Sequence, residues 1–194
     1  MSSESPDVIT ALINLCRQYN VRTVLQVGAE DGYEADCIRR ELACRSVCIE
    51  PDTRCGPVSH LLEWHEVLIG ESSEVADFYL HESPGLSSKV TRNDKKETQV
   101  RMPQMRLDAF CRRYAVKPDC LIVDCEGTTM EVLRSAGPML QFTSIVYCEV
   151  NHDDSRGPRN DADVQALLES FGLRRHEGAP SYSAGCQSNW TFVR

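Results

Sequence analysis

Four segments of this chain are apolar on nearly every residue, and helical patterns separate them. They are residues 22–28, 46–52 (SVCIEPD), 119–126 (DCLIVDCE) and 144–150 (SIVYCEV). A strand with one wet face alternates apolar and polar side chains, so runs without alternation need cover on both faces. Such strands alternating with helices predict a doubly wound α/β fold, a mostly parallel sheet with helices on each side. At 194 residues the chain fits one domain spanning 1–194, large enough to bury a core without disulfide or metal staples.

The helices announce themselves by period and by their ends. Ser5-Pro6-Asp7 starts a helix over about 6–19, with Val8, Ile9, Leu12, Ile13, Cys16 and Tyr19 on one face. Asp31 with Glu34, and Thr128 with Glu131, have capping-box spacing ahead of further helices. Leu107, Phe110, Cys111 and Tyr114 mark a short helix, and Val164, Leu167, Leu168 and Phe171 a last one stopped at Gly172. WHEVLIGES reads as a third strand, and VADFYLH (75–81) alternates as a fourth, antiparallel one. Between Glu82 and Pro103 the pattern fails, which predicts a long polar surface loop. Runs near 173–177 and 189–194 predict a closing antiparallel hairpin around EGAPSYSAGCQS.

In a doubly wound sheet, ligands sit beyond the carboxyl ends of the strands, where the strand order reverses. Here those ends carry Gly28–Gly32, Glu50–Asp52, Gly70–Ser72, Asp124–Glu126 and Glu149–Asp153. Gly28 and Gly32 bracket a turn that lets a polar ligand approach backbone, and Glu50 stands where a carboxylate accepts ribose hydroxyls. A dinucleotide site needs G-x-G-x-x-G for its pyrophosphate, but Glu30 occupies the middle glycine position. A carboxylate there suits a sulfonium or an ammonium, so S-adenosylmethionine fits the turn better than NAD.

Composition narrows the rest. A formal net charge of -8 argues against a general binder of nucleic acid. The opening MSSESPDVIT has no leader pattern, and no stretch nears the roughly 18 apolar residues of a membrane span, so a cytoplasmic protein is expected. Ten cysteines without any C-x-x-C, several inside apolar strands, predict reduced thiols and no structural zinc.

At this point the residues resemble the FkbM-type S-adenosylmethionine-dependent methyltransferases. The match runs from VLQVGAEDGYEAD through CIEPD, then RLDAFCRRYAVKPDCLIVDCEGTTMEVLRSAG and SIVYCEV, to NWTFVR. The resemblance implies a class I methyltransferase fold, Rossmann-like, with a C-terminal antiparallel hairpin. It implies that Gly28, Ala29, Glu30 and Gly32 cradle the methionine part of S-adenosylmethionine, that Glu50 holds the ribose, and that Asp52, Gly70, Glu71 and Ser72 lie near the adenine. It also marks a departure, because Gln26 stands where the family carries aspartate and Glu30 where asparagine is common.

Methyl transfer to a hydroxyl needs alignment and a base. The candidates are Asp124, Glu126, Glu149 and His152, with Asp153 beside the last. Asp124, Glu149 and Asn151 also have the oxygen chemistry of a magnesium site, although the resemblance requires no metal. The lack of N-P-P-Y or D-P-P-Y at Asp124 argues against nucleobase amino groups, leaving O-methylation of a small metabolite, sugar or natural product. Lys89, Arg92, Lys95, Lys96, Arg101, Arg106, Arg112 and Arg113 form a locally basic stretch suited to an acidic group on that acceptor. Acceptor selection falls to the loops at about 82–105, 151–162 and 178–188, or to a partner subunit such as a second copy. The competing readings are an NAD-dependent oxidoreductase and a degenerate nucleotide-binding module that partners another protein.

Overall fold

The computed structural model describes residues 6–91, 96–155, 157–176 and 183–194. Five α-helices, α1 (Pro6–Gln18), α2 (Tyr33–Leu42), α3 (Leu107–Arg113), α4 (Thr129–Ala136) and α5 (Asp161–Ser170), alternate with strands of a central sheet. That sheet contains β1 (Thr23–Val27), β2 (Arg45–Ile49), β3 (Glu63–His65), β7 (Cys120–Val123), β8 (Ile145–Asn151), β9 (Arg174–Arg175), β10 (Ser183–Ala184) and β11 (Gln187–Val193). Its order is β10-β11-β8-β7-β1-β2-β3, with β9 also paired to β11. The strands from β3 to β8 are parallel, and β11 runs antiparallel to β8, β9 and β10.

Burial follows the two-residue alternation within each strand. Leu25, Val27, Val47, Ile49, Leu121, Val123, Val146 and Cys148 pack into one core with Phe110 of α3, Leu133 of α4 and Leu168 of α5. The intervening Val24, Cys48, Cys120, Ile122, Ile145 and Tyr147 pack into the other, against Leu12 and Cys16 of α1 and Ile38 of α2. Both faces are therefore dry, which is why the strands lack polar alternation. All ten cysteines are free thiols, and burial pushes those of Cys48 and Cys148 up, so they pack as neutral side chains.

The structure corrects the sequence reading in three places. WHEVLIGES divides, because β3 belongs to the central sheet while β4 (Leu68–Ile69) belongs to a second, three-stranded sheet in which β6 (Glu97–Met105) lies between β4 and β5 (Val75–His81). The expected loop of 82–103 holds a 3₁₀ turn, Pro84–Leu86, and much of β6 (Glu97–Met105), the antiparallel partner of β5 (Val75–His81). Its side chains are exposed or only half-buried, so no apolar period marks the strand. The two capping boxes do not form. Asp31 accepts from the Tyr33 amide, Glu34 from Gln26, Thr128 donates to the Cys125 carbonyl, and Glu131 pairs with Lys89. Asp31 and Thr128 are taken up by local turn bonds, while Glu34 and Glu131 are drawn into contacts with β1 and with residue 89 on another part of the chain. The hairpin forms, and β11 begins two residues earlier than read, at Gln187; Glu177–Tyr182 lie outside the described residues.

Candidate active site

From β1 the chain passes outward to β2 and β3, then crosses back to β7 and β8, so strand order reverses between β1 and β7. A cavity of about 300 Å³ opens beyond the carboxyl ends of these strands. Its walls include residues 26–31 at the end of β1 and the turn that follows, Glu50 and Pro51 after β2, Leu68 and Ile69 of β4, Phe78 of β5, and residues 124–126 after β7. Residues 83–89 form a strap that closes one side.

The first turn is built on a glycine for a stated reason. Gly28 has φ +75°, and a Cβ there would stand 1.7 Å from the Asp124 carbonyl oxygen. The amides of Gly28 and Ala29 both donate to the Ile49 carbonyl, at 3.0 and 3.2 Å, which ties the turn to β2. Glu30 follows with φ +50°, an uncommon conformation for a residue with a side chain. Gln26 is 2% exposed and reaches into the start of α2, donating to Glu34 at 2.8 Å and accepting from the Ala35 amide at 3.1 Å. It thereby satisfies one of the helix's unpaired N-terminal amides, the task usually left to a cap.

Glu50 joins two turns. One oxygen accepts from the Glu30 amide at 3.0 Å and the other from the Asp52 amide at 2.8 Å. Burial pushes its carboxyl up to about 7, and those two amides offset only part of the effect. Each carboxylate oxygen keeps a second lone pair, so the group can still accept hydroxyls from the cavity.

Asp52 is not among the residues of the cavity wall and anchors the strap. Burial alone would raise its carboxyl, but hydrogen bonds from Arg54 and Ser87 outweigh that and hold it below its ordinary value. Ser87 donates to Asp52 at 2.7 Å, and Arg54 binds Asp52 and the His81 carbonyl, each at 2.6 Å. Farther along the strap, Ser88 donates to the Glu126 carbonyl at 2.6 Å and Lys89 pairs with Glu131. The strap is thus fastened to the ends of β2 and β7 and to α4.

Asp124, Glu126 and Glu149 each offer a carboxylate oxygen, all within 4.8 Å of one another. Glu149 accepts from Gln187 at 2.7 Å, and Gln187 also donates to Asn151 at 3.0 Å. Of the residues singled out from sequence, the structure places Gln26, Gly28, Ala29, Glu30, Glu50, Asp124 and Glu126 on the cavity wall. Gly32, Gly70, Glu71 and Ser72 are off it, and Glu149 reaches it only through its two carboxylate neighbours. His152 is also off the wall, one ring nitrogen 2.6 Å from the Ser188 hydroxyl and the other 3.4 Å from Asp161. Asp153 is exposed and accepts from the Ser155 amide. Among the described residues Lys89 is the single cation of the wall, while Arg101, Arg106 and Arg112 pair with Asp77 and Asp108. Arg92 and Lys95 lie outside the described residues. Sequence reasoning missed Gly85, Ser87 and Ser88, whose only signal was a Pro-Gly turn within a polar stretch.

No curated protein matches the chain in sequence. Solved structures do share its fold. A putative ribosomal RNA methyltransferase from Plasmodium falciparum aligns with TM-score 0.54 at 11% identity, over 98% of this chain and 97% of that one. The O-methyltransferase TomG from Streptomyces achromogenes, crystallised with S-adenosylmethionine, aligns with TM-score 0.50 at 15% identity, over 99% and 81%. Of an O-methyltransferase family protein from Burkholderia thailandensis, aligned at TM-score 0.46 and 10% identity over 96% of this chain, the chain spans 58%. The family model for the methyltransferase FkbM domain matches residues 26–175, which takes in the Gly28 turn, Glu50, the strap and the carboxylates after β7 and in β8. The chain therefore belongs to the FkbM methyltransferase family.

Proposed function

We propose that the chain is an S-adenosylmethionine-dependent methyltransferase acting on a hydroxyl of a small metabolite, sugar or natural product. The observation that carries this is Glu50, a buried carboxylate braced by two backbone amides at the end of β2 with acceptor capacity left over. A ribose diol is the ligand chemistry that uses such a group. The residues present fit the cofactor. Gly28, where a Cβ has no room, lets the turn approach the methionine part, with Ala29 and Glu30 beside it. Leu68, Ile69 and Phe78 supply an apolar wall for the adenine.

When bound, the cofactor supplies a methyl group on a sulfonium, open to in-line displacement. What the protein adds is position and a proton acceptor. Asp124, Glu126 and Glu149 are the oxygen bases closest to the cavity, with carboxylate oxygens all within 4.8 Å of one another. One of them takes the hydroxyl proton as the oxygen attacks, and Gln187 orients Glu149 for that role. His152 is off the cavity wall and held by Ser188 and Asp161, so the carboxylates are the preferred bases in this reading. Lys89 would receive an acidic group on the acceptor by exchanging Glu131 for it. A screen with methyl-tritiated S-adenosylmethionine across hydroxylated, amine and peptide acceptors tests the reading. Label on oxygen supports it, and label on nitrogen alone overturns the choice of acceptor atom.

A further inference from the structure

Gly85 sits at the middle of the strap, in the turn Pro84–Leu86, and its φ is not in the left-handed region that favours glycine. Any L-residue could adopt this backbone, and glycine costs chain entropy relative to alanine. Space explains the residue instead. A Cβ built on Gly85 would stand 2.7 Å from Glu30 Cδ, 2.8 Å from Oε1 and 3.1 Å from Oε2. The strap therefore lies directly on the Glu30 carboxylate. It has little freedom to retreat, because Ser87 is fastened to Asp52 two residues on and Ser88 to the Glu126 carbonyl after that.

Glu30 is constrained from the other side as well. Its backbone is left-handed, φ +50°, and its amide is bound to Glu50. A side chain held at its root by a strained turn and roofed at its tip by backbone has few rotamers left.

We propose that Gly85 is a positioning residue for the methyl donor: by lacking a side chain it lets the strap clamp the Glu30 carboxylate where the donor's amino-acid ammonium is recognised. This rests on the reading of the cavity as an S-adenosylmethionine site. A preset carboxylate spends less rotamer entropy when the ammonium arrives, so the contact strengthens donor binding without touching the donor's adenosine. The device also explains how a wall rich in carboxylates holds one of them at a defined place instead of splaying it toward water.

The test uses calorimetry on the full chain with two probes, S-adenosylhomocysteine and 5′-deoxy-5′-methylthioadenosine, which lacks the amino-acid part. In Gly85→Ala the added methyl meets the far end of the Glu30 side chain and no backbone atom, so the carboxylate is pushed from its place while the chain folds with a melting temperature close to the parent's. Its affinity for S-adenosylhomocysteine falls roughly tenfold, about one charge-assisted hydrogen bond, while methylthioadenosine binds within twofold of the parent. Glu30→Gln shows the same split, and adding Gly85→Ala to it changes little further, the coupling expected of two residues that act as one. The proposal is overturned if Gly85→Ala binds S-adenosylhomocysteine as the parent does, if it loses both probes equally, or if it does not fold. A parent chain that binds neither probe removes the donor reading itself, and the proposal with it.

Discussion

Replacing Glu50 with glutamine tests the cofactor reading at its anchor. The parent carboxylate accepts one amide on each oxygen and has two lone pairs for a ribose diol. Glutamine keeps the shape, but its NH₂ faces either the Glu30 or the Asp52 amide and can no longer accept there. Each bond to a charged acceptor is worth about 1.5–3 kcal/mol, and part is offset by stripping water and a proton from the carboxyl. A net loss of roughly 2–3 kcal/mol follows, so S-adenosylhomocysteine should bind Glu50→Gln about 30- to 150-fold more weakly. The parent should also show a pH signature. With its carboxyl at about 7, Glu50 is about one-tenth ionised at pH 6, so affinity there is about tenfold below its plateau above pH 8. At pH 7 binding should release about half a proton, seen as a dependence of the calorimetric heat on buffer ionisation enthalpy. Stability runs the opposite way: the folded value near 7 exceeds the ordinary 4.5, so stability is full below pH 4.5 and falls by up to about 3 kcal/mol as pH rises through 7. Glu50→Gln should flatten both profiles. A parent whose affinity and stability are level from pH 5 to 8, with an unweakened Glu50→Gln variant, refutes the reasoning.

Other variants probe the rest of the architecture. Gly28→Ala places a methyl against the Asp124 carbonyl in a left-handed turn, which should cost roughly 3 kcal/mol or more and lower Tm by on the order of 10 °C by calorimetry. Ser87→Ala removes a strap fastener and should quicken dissociation of S-adenosylhomocysteine several-fold in stopped flow; an unchanged off-rate shows that the strap does not gate the cavity. Once an acceptor is found, replacing whichever of Asp124, Glu126 or Glu149 serves as base with its amide should lower kcat by about 10²- to 10⁴-fold, with S-adenosylhomocysteine affinity held within threefold. Leu133→Ala, at a fully buried position between α4 and the sheet, should destabilise the chain by about 2–5 kcal/mol in denaturant unfolding.

The central sheet was legible because its physics is local. Val24 and Leu25, or Ile122 and Val123, go to opposite cores, so both must be apolar, and that pattern is visible without coordinates. The turn at Gly28 and the carboxylate at Glu50 were visible for the same reason, each sitting where an apolar run stops. The strap and β6 were not. Apart from the buried Ser88 their residues are exposed or half-buried, so they carry no hydrophobic period, and Ser87 and Ser88 acquire meaning only by reaching Asp52 and the Glu126 carbonyl across the fold. The same long-range contacts defeated the capping boxes. Glu34 and Glu131 had the right spacing, but Gln26 and Lys89 competed for them from other elements. His152 was singled out by its place after β8, and only the coordinates show its ring turned to Ser188 and Asp161.

Titrating the unmodified chain with S-adenosylhomocysteine and, separately, with NADH bears on the central claim most directly. A single site with a dissociation constant of about micromolar order for the first and no heat with the second is the predicted result. Heat with NADH alone, or with neither ligand, contradicts it.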